Sequence, residues 1–336
     1  MINRNMKLLL IALTLFGSQV NAQCILKTAS LGNFKTVSGK EIQNCSIAYR
    51  TLGRLNADKS NVVLWPTWFS GKSDIICNAI APMMMDTTGL YIIVVDAFGN
   101  GVSSSPSNCP GFPEITIRDM VNSQHTLLTK HLTINHVKAV MGISMGGMQT
   151  MEWLVAYPGF SDKAVSIVGT PKQSSYDLML WKTEAALLTT AGKDEKSKES
   201  AMRMVSNVHL LNIRTPSFWL YTSKPEKVDS IMLAEQANML NSMKPDDFLC
   251  QLNAMIGHDI YKSSGKAMTA MKEVIKAKTL MIVSKTDHMV NPGTSVELSN
   301  VIGATLVQLD NDCGHRGLLC DQEGIVKAEV TRFLRK

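Results

Sequence analysis

The stretch Gly142-Ile-Ser-Met-Gly146 separates an apolar run, Val137–Ile143, from a helix-forming run, Met148–Tyr157. A strand, a glycine-flanked serine and a helix in this order form a nucleophile elbow, a sharp turn that lifts a serine hydroxyl above the edge of a sheet. Glycines permit such a turn because they lack a Cβ atom. The pattern alone is weak, and its alternative is an ordinary glycine-rich turn. In this context it predicts Ser144 as a nucleophile.

On both sides of the turn, short β-rich runs alternate with helical patterns. This alternation predicts an α/β fold with a mostly parallel sheet and crossover helices. The predicted strands are 47–52, 62–66, 91–96, 137–143, 164–168, 279–283 and 305–309. The predicted helices lie near 74–85, 117–132, 145–157, 293–302 and 319–335.

The predicted sheet is interrupted by 110 residues between Val168 and Thr279. A crossover needs only about 30 residues, and this stretch has a helical pattern in which Met, Leu and Ala recur. We therefore predict a helical lid at 172–270, inserted into a core domain formed by 23–171 and 271–336. Methionines in the lid either fill gaps in its core or form an adaptable apolar binding surface.

An elbow serine needs a base, and an acid and a histidine follow it at the ends of later strands. Asp287 follows the strand 279–283, and His315 follows the strand 305–309. The chain order Ser, Asp, His is typical of nucleophile-elbow enzymes. In that arrangement His315 takes the serine proton, and Asp287 orients and stabilises the imidazole. Asp312 is the alternative acid.

The other histidines are weaker candidates. His288 adjoins Asp287 and is expected to point elsewhere. We interpret the remaining core and lid histidines as surface or hydrogen-bonded residues: His125, His131, His136 and His209. His258 lies in the lid, and we place it with Trp181 among the candidate substrate-binding residues.

A tetrahedral intermediate needs backbone N–H donors for its oxyanion. The first expected donor is Met145, directly after the nucleophile. The second is Trp68 or Phe69, in the loop after the strand 62–66. The alternative is that this aromatic loop only packs under the lid.

The amino-acid composition favours a globular protein and argues against some functional classes. The 336 residues are 45% hydrophobic and 18% charged, so the chain can bury a large core. The formal charge of +6 is not concentrated in a basic run, which argues against nucleic acid as a partner. Nothing in the sequence calls for a metal or cofactor. A small-molecule acyl substrate is the expected partner, with a homodimer left open.

The N-terminus resembles a secretory signal. The apolar stretch Leu8–Phe16 follows Arg4 and Lys7 and is shorter than the ~20 residues of a membrane span. We expect cleavage after Ala22 and a periplasmic or secreted protein without a membrane span. The alternative is a cytosolic protein with an apolar N-terminus.

Seven cysteines in an exported chain indicate disulfides, and the odd count leaves at least one cysteine unpaired. No pair has the short C-x-x-C spacing of a zinc or redox site. Cys24 with Cys45 and Cys77 with Cys109 would each link neighbouring elements, although spacing does not fix connectivity.

Several stretches together resemble the homoserine O-acyltransferase-like branch of the α/β-hydrolase superfamily. They are Ile47–Gly53, Asn61–Gly71, Phe98–Asn108, Thr116–Asp119 with Gln124 and His125, and Gly142–Gln149. The resemblance covers most of 40–170 and continues at 279–335. It implies an α/β-hydrolase fold and the same triad, Ser144, Asp287 and His315.

The sequence departs from that branch where the transferases bind their acceptor. Their first lid helix carries an arginine that grips the homoserine carboxylate, and Ala186 holds that position here. Lys182 would not reproduce the bidentate geometry of a guanidinium. The triad histidine is followed by Arg316 instead of aspartate, and the segment Thr67–Gly71 also differs.

These observations predict an exported serine hydrolase that cleaves a small acyl ester through an acyl-enzyme on Ser144. A transferase that uses acyl-CoA needs a cytosolic donor, whereas water is the abundant acyl acceptor outside the cytoplasm. The alternatives are a homoserine O-acetyltransferase-like enzyme and a non-catalytic binding protein with the same fold.

Overall fold

The computed structural model describes residues 24–321 and 324–335, so the predicted signal segment 1–22 lies outside the described residues. Within them the chain forms an eight-stranded sheet with the order β1-β2-β4-β3-β5-β6-β7-β8. The strands are β1 Lys27–Lys35, β2 Glu41–Gly53, β3 Val62–Pro66, β4 Tyr91–Val95, β5 Val137–Ile143, β6 Ser161–Ile167, β7 Lys278–Ser284 and β8 Thr305–Leu309. β2 pairs antiparallel with β1 and β4, and all other pairs are parallel. The predicted mostly parallel α/β sheet is confirmed.

The helices that flank the sheet are close to the predicted ones. Three consecutive helical segments, Ser73–Ile75, Ile76–Ile80 and Ala81–Met84, together form α1. The others outside the insertion are α2 Ile117–Thr126, which continues as a π-helix over Leu127–His131, α3 Met145–Ala156, α11 Gly293–Ile302 and α12 Ile325–Arg335. The helix predicted over 319–335 is two elements, because a 3-10 helix, Gly314–Cys320, precedes α12.

β1 was not predicted. Its pairing with β2 shifts register on both sides of Gly32, and most of its residues are exposed. A strand at the edge of a sheet with a broken alternation gives a weak sequence signal. Only the second half of β2 was predicted, because the alternation of buried and exposed residues is also broken in its first half.

Hydrophobic side chains pack on both faces of the sheet. Successive side chains of a strand point to opposite faces. Val62 and Leu64 of β3 accordingly join one buried cluster, and Val63 and Trp65 join another. Both faces are covered, which is why the central strands read as continuous apolar runs.

The 110-residue interruption is helical. Between β6 and β7 the chain forms α4 Ser175–Thr189, α5 Glu195–Ile213, α6 Pro216–Thr222, α7 Val228–Ser242, α8 Pro245–Ile256, α9 Ile260–Ser264 and α10 Met271–Val274. The two ends of most of this insertion meet, since the N–H of Ile260 donates to the carbonyl of Pro171 at 3.0 Å. The division into a core and a lid at 172–270 stays a prediction. Among the described residues, no helix combines the length and apolarity needed to cross a bilayer.

The structure contains two disulfides, Cys24–Cys77 and Cys313–Cys320, so the expected pairings Cys24–Cys45 and Cys77–Cys109 are wrong. The sheet explains the correction. Cys24 and Cys77 pack with one buried cluster, and Cys45 and Cys109 pack with the cluster on the opposite face. Cys45, Cys109 and Cys250 are free thiols.

Candidate active site

The loops that follow β3, β5, β7 and β8 meet at one edge of the sheet. Parallel strands end at the same edge, and ligands of open α/β sheets bind there. The loop after β5 carries Ser144, the loop after β7 carries Asp287, and the loop after β8 carries His315.

Ser144 occupies a sharp turn between β5 and α3. Its backbone has φ 56° and ψ −121°, a conformation that L-residues seldom adopt. The turn is tight enough that a Cβ atom on Gly142 would lie 2.2 Å from the carbonyl oxygen of Gly146. A Cβ atom on Gly146 would lie 2.6 Å from the carbonyl oxygen of Pro66. Both glycines are therefore required by close backbone approach.

The three predicted triad residues are brought into hydrogen-bond contact. Ser144 Oγ lies 2.9 Å from Nε2 of His315, and Nδ1 of His315 lies 2.7 Å from Oδ2 of Asp287. The other carboxylate oxygen of Asp287 accepts the N–H groups of Met289 and Val290, each at 2.9 Å. With Nδ1–H donating to Asp287, Nε2 of His315 is free to accept the serine proton.

Asp312, the alternative acid, faces away from this chain of hydrogen bonds. Its Oδ2 accepts from the hydroxyl of Ser217 at 3.1 Å, and its carbonyl accepts from Thr215 at 2.5 Å. Both partners belong to the helical insertion, at the start of α6. Asp312 thus links the His315 loop to the insertion, and Asp287 is the carboxylate that contacts the imidazole.

The loop that holds His315 is braced in two further ways. The Cys313–Cys320 disulfide brackets it. Gly314 has φ +60°, and a Cβ atom there would lie 3.1 Å from backbone atoms of Ile213 and Arg214 at the end of α5. The imidazole is positioned by covalent closure and by backbone packing against the insertion.

The predicted oxyanion donors are the backbone N–H groups of Met145 and of Trp68 or Phe69. Met145 is the first residue of α3, so its N–H has no intrahelical partner. The N–H of Ser70 donates to Gln251 and that of Gly71 to the carbonyl of Trp68. Among the described residues, no acceptor takes the N–H of Trp68 or Phe69. These groups remain available to an oxyanion, and the assignment stays a prediction.

A cavity of about 400 Å³ opens above Ser144 and His315. Its walls are largely apolar and include Trp68, Phe69, Trp181, Phe248, Met255 and Met289. The ring of Phe69 packs edge-on against Phe248 at a centroid distance of 4.4 Å. Trp181 lies in the cavity wall, and its contact with substrate stays a prediction. The aromatic loop both lines the cavity and packs under the helices.

His258 lies outside the cavity, so the expectation that it contacts substrate is corrected. Its side chain is buried, with Nε2 3.1 Å from the carbonyl oxygen of Thr170 and Nδ1 3.8 Å from Glu152. Burial lowers the pKa of His258, although the nearby Glu152 opposes the shift. The residue connects the insertion to the core through buried polar contacts.

Four charged or titratable cavity residues were missed by the sequence reasoning: Glu184, His209, Glu235 and Arg316. His209, expected to be a surface or hydrogen-bonded histidine, lines the cavity with Glu184, and its Nδ1 lies 3.2 Å from Glu184 Oε1. The two residues are 25 positions apart on different helices, so no spacing pattern connects them. Arg316 also lines the cavity, whereas Lys182 is exposed and does not.

Other reactive groups are not suited to catalysis. Burial raises the pKa of the Cys250 thiol to about 12, so the reactive thiolate is not populated at neutral pH. Across 24–321 and 324–335, no group of three or more His, Cys, Asp or Glu residues has a geometry that could hold a metal ion.

The sheet, the elbow and the hydrogen-bond chain from Ser144 to Asp287 are together typical of one class of protein, the α/β hydrolases. The family model described as "alpha/beta hydrolase fold" matches residues 63–201. A solved acetylester hydrolase from Corynebacterium glutamicum superposes with a TM-score of 0.81 at 26% identity, over 92% of this chain and 95% of that one. The chain belongs to the α/β-hydrolase superfamily.

Curated relatives include both hydrolases and transferases. An ethyl acetate hydrolase from Pseudomonas veronii is 39% identical over 169 residues, which is 48% of this chain and 48% of that protein. A homoserine O-acetyltransferase from Methanohalophilus mahii is 38% identical over 178 residues, 43% of this chain and 35% of that protein. These two matches span about half or less of the relatives' length. They confirm the resemblance to the transferase-containing branch.

Proposed function

We propose that this protein is an exported serine hydrolase that cleaves a small acyl ester through an acyl-enzyme on Ser144. Ser144 Oγ attacks the ester carbonyl while His315 Nε2 takes the hydroxyl proton. Asp287 holds the imidazole in the required tautomer and stabilises its cationic form. The N–H groups of Met145 and of Trp68 or Phe69 stabilise the oxyanion.

The second half of the reaction reverses these roles with water. Collapse of the first tetrahedral intermediate breaks the ester C–O bond, and His315 returns its proton to the departing alcohol. Water then attacks the acyl-serine, His315 takes one of its protons, and collapse releases the carboxylic acid with the proton returned to Ser144. Every proton transfer uses the same nitrogen, Nε2.

The observation that carries this proposal is the Ser144–His315–Asp287 hydrogen-bond chain at the base of the cavity. A cavity of about 400 Å³ with mostly apolar walls suits a short ester. The names of the two hydrolase relatives, which refer to ethyl acetate and acetyl esters, support the same substrate size.

Two disulfides support the proposed export, because such bonds persist in oxidising compartments. In such a compartment acyl-CoA is absent and water is abundant, which favours hydrolysis over transfer from a thioester. The proposed localisation is therefore periplasmic or extracellular.

An acyltransferase acting on homoserine is the second candidate, favoured by the transferase relative and by Arg316 in the cavity wall. Ala186 disfavours it, since alanine provides no charge for the acceptor's carboxylate. Lys182 does not replace the arginine, because it lies outside the cavity. A non-catalytic binding protein is disfavoured by the assembled hydrogen-bond chain.

The first test compares acyl acceptors. We expect hydrolysis of a chromogenic acetate or butyrate ester at a rate that added homoserine does not change, and no acyl transfer from acetyl-CoA to homoserine. Without an arginine at position 186, the acceptor's effective concentration at the acyl-serine stays too low to compete with water. Formation of O-acetylhomoserine faster than hydrolysis would contradict the hydrolase assignment. Failure of a fluorophosphonate probe to label Ser144 would instead favour the binding protein.

A further inference from the structure

A buried carboxylate and an imidazole stand in the wall of the cavity, outside the triad. Glu184 lies on α4 and His209 on α5, and both line the cavity that contains Ser144 and His315. Glu184 Oε1 lies 3.2 Å from His209 Nδ1, and the side chain of Glu184 is 1% exposed. The proposed mechanism uses neither residue.

The carboxylate of Glu184 retains capacity to accept hydrogen bonds. A carboxylate has two oxygens and about four acceptor sites. Within the described part of the chain, the one hydrogen bond of this group is the contact between Oε1 and His209. A carboxylate removed from bulk water is stabilised when further donors reach it. Oε2 has no donor among the described residues, so a group in the cavity can donate to it.

Two glutamates of the described residues line the cavity, and Glu184 is buried whereas Glu235 is partly exposed. The cavity is also lined by side chains that carry no strong hydrogen-bond donor, such as Phe248, Leu252 and Met255. On the other side, His209 packs near Phe69, with a ring-centroid distance of 6.5 Å. The imidazole thus lies between the carboxylate and the aromatic loop proposed to hold the oxyanion.

We propose that Glu184, oriented by His209, recognises a free hydroxyl group on the ester substrate. The proposal rests on the proposed ester hydrolysis and names its substrate class: short acyl esters that carry a hydroxyl on the alcohol or on the acyl arm. The hydroxyl donates to Glu184. An alkyl ester of the same shape fills the space but leaves the carboxylate unpaired, and such a site rejects analogues that lack the donor.

The test compares esters that differ by exchange of a methyl for a hydroxyl group. One pair is 2-hydroxyethyl acetate and propyl acetate, and the other is ethyl 3-hydroxypropanoate and ethyl butanoate. For at least one pair, kcat/KM of the wild-type protein is expected to favour the hydroxylated ester about 10- to 100-fold, the range of a hydrogen bond to a charged group. Glu184→Gln should reduce that ratio about tenfold, and His209→Gln should reduce it less.

A matched control is Glu199→Gln, an exposed glutamate on the same helix as His209. It should leave the ratio unchanged. Equal kcat/KM values within both pairs for the wild-type protein, or a ratio that survives Glu184→Gln, would overturn the recognition role while leaving ester hydrolysis in place. If no ester is hydrolysed, the proposed function fails separately. The same pairs are then compared as ligands by Trp fluorescence, where equal affinities would overturn the recognition role.

Discussion

The floor and the wall of the cavity are built in different ways. The floor consists of residues at the ends of β5, β7 and β8, where each triad side chain has its hydrogen-bond partners within the protein. The wall is assembled largely from helices of the insertion and includes a buried carboxylate with acceptor capacity to spare. The hydrogen bonds of the floor are formed within the protein, whereas the Glu184 carboxylate in the wall has acceptor sites that no described residue fills. Under the proposed function, the chemistry therefore depends on the floor and the choice of substrate depends on the wall.

Replacing Ser144, the proposed nucleophile on the floor of the cavity, should have the largest effect on turnover. Ser144→Ala should reduce turnover by about 10⁴-fold or more, because it removes the attacking oxygen. Thermal unfolding should be nearly unchanged, since the hydroxyl makes no core contact. Turnover measured with a chromogenic ester checks this prediction, and near-normal activity would remove the triad assignment.

Two variants distinguish Asp287, the proposed acid of the triad, from Asp312 in the loop that holds His315. Asp287→Asn should slow turnover by ~10⁴-fold, because an amide favours the wrong imidazole tautomer. Asp312→Asn should have a much smaller effect, since its side chain contacts Ser217 and not the imidazole. Steady-state kinetics of the two variants decide between them. The reverse order of effects would make Asp312 the acid.

The two disulfides should have different roles: we expect Cys313–Cys320 to support catalysis and Cys24–Cys77 to support stability. Changing Cys313 and Cys320 to serine frees the His315 loop and should lower kcat about tenfold or more, because small displacements of catalytic groups are costly. Changing Cys24 and Cys77 to serine should lower the free energy of unfolding by about 2–4 kcal/mol and leave kcat unchanged.

Thiol counting provides the matching control. The denatured, unreduced wild-type protein should expose three free thiols, those of Cys45, Cys109 and Cys250. Seven free thiols would contradict both disulfides. Equal kinetic effects of the two double variants would show that the Cys313–Cys320 bond does not position His315.

The smallest expected effect concerns the contact between insertion and core. Burial lowers the pKa of His258, so below pH ~6.5 the unfolded chain binds a proton that the folded chain excludes. Stability contributed by the neutral ring is thus fully present above that pH and is lost as the pH falls. The loss is at most ~1.4 kcal/mol per pH unit. Glu152 and Asp259 oppose this shift, and Arg118 adds to it.

Denaturant titrations at pH 7 and pH 5 measure this dependence. His258→Gln should flatten it, while the exposed His288→Gln should not. Identical pH dependence of the wild-type protein and His258→Gln would exclude the buried ring as its source.

The sequence predicted the floor far better than the wall. Central strands buried on both faces are continuous apolar runs, and the elbow needs glycines at fixed positions, so local patterns located Ser144, Asp287 and His315. The contact between Glu184 and His209 depends on how α4 packs against α5, which no local pattern encodes. The prediction for His258 was wrong for the same reason. Helical periodicity predicts on which face of a helix a lid residue lies, but not what that face contacts. The predicted disulfide pairings were wrong because each joined two cysteines that lie on opposite faces of the sheet.

The backbone of Ser144 also bears on how selection can act on this protein. A non-glycine residue at φ 56° and ψ −121° carries strain of about 1–3 kcal/mol, which glycine would relieve. Selection for stability alone would therefore replace the serine, and selection for chemistry alone retains it. Folding free energy given up at this residue must be recovered by interactions elsewhere in the chain.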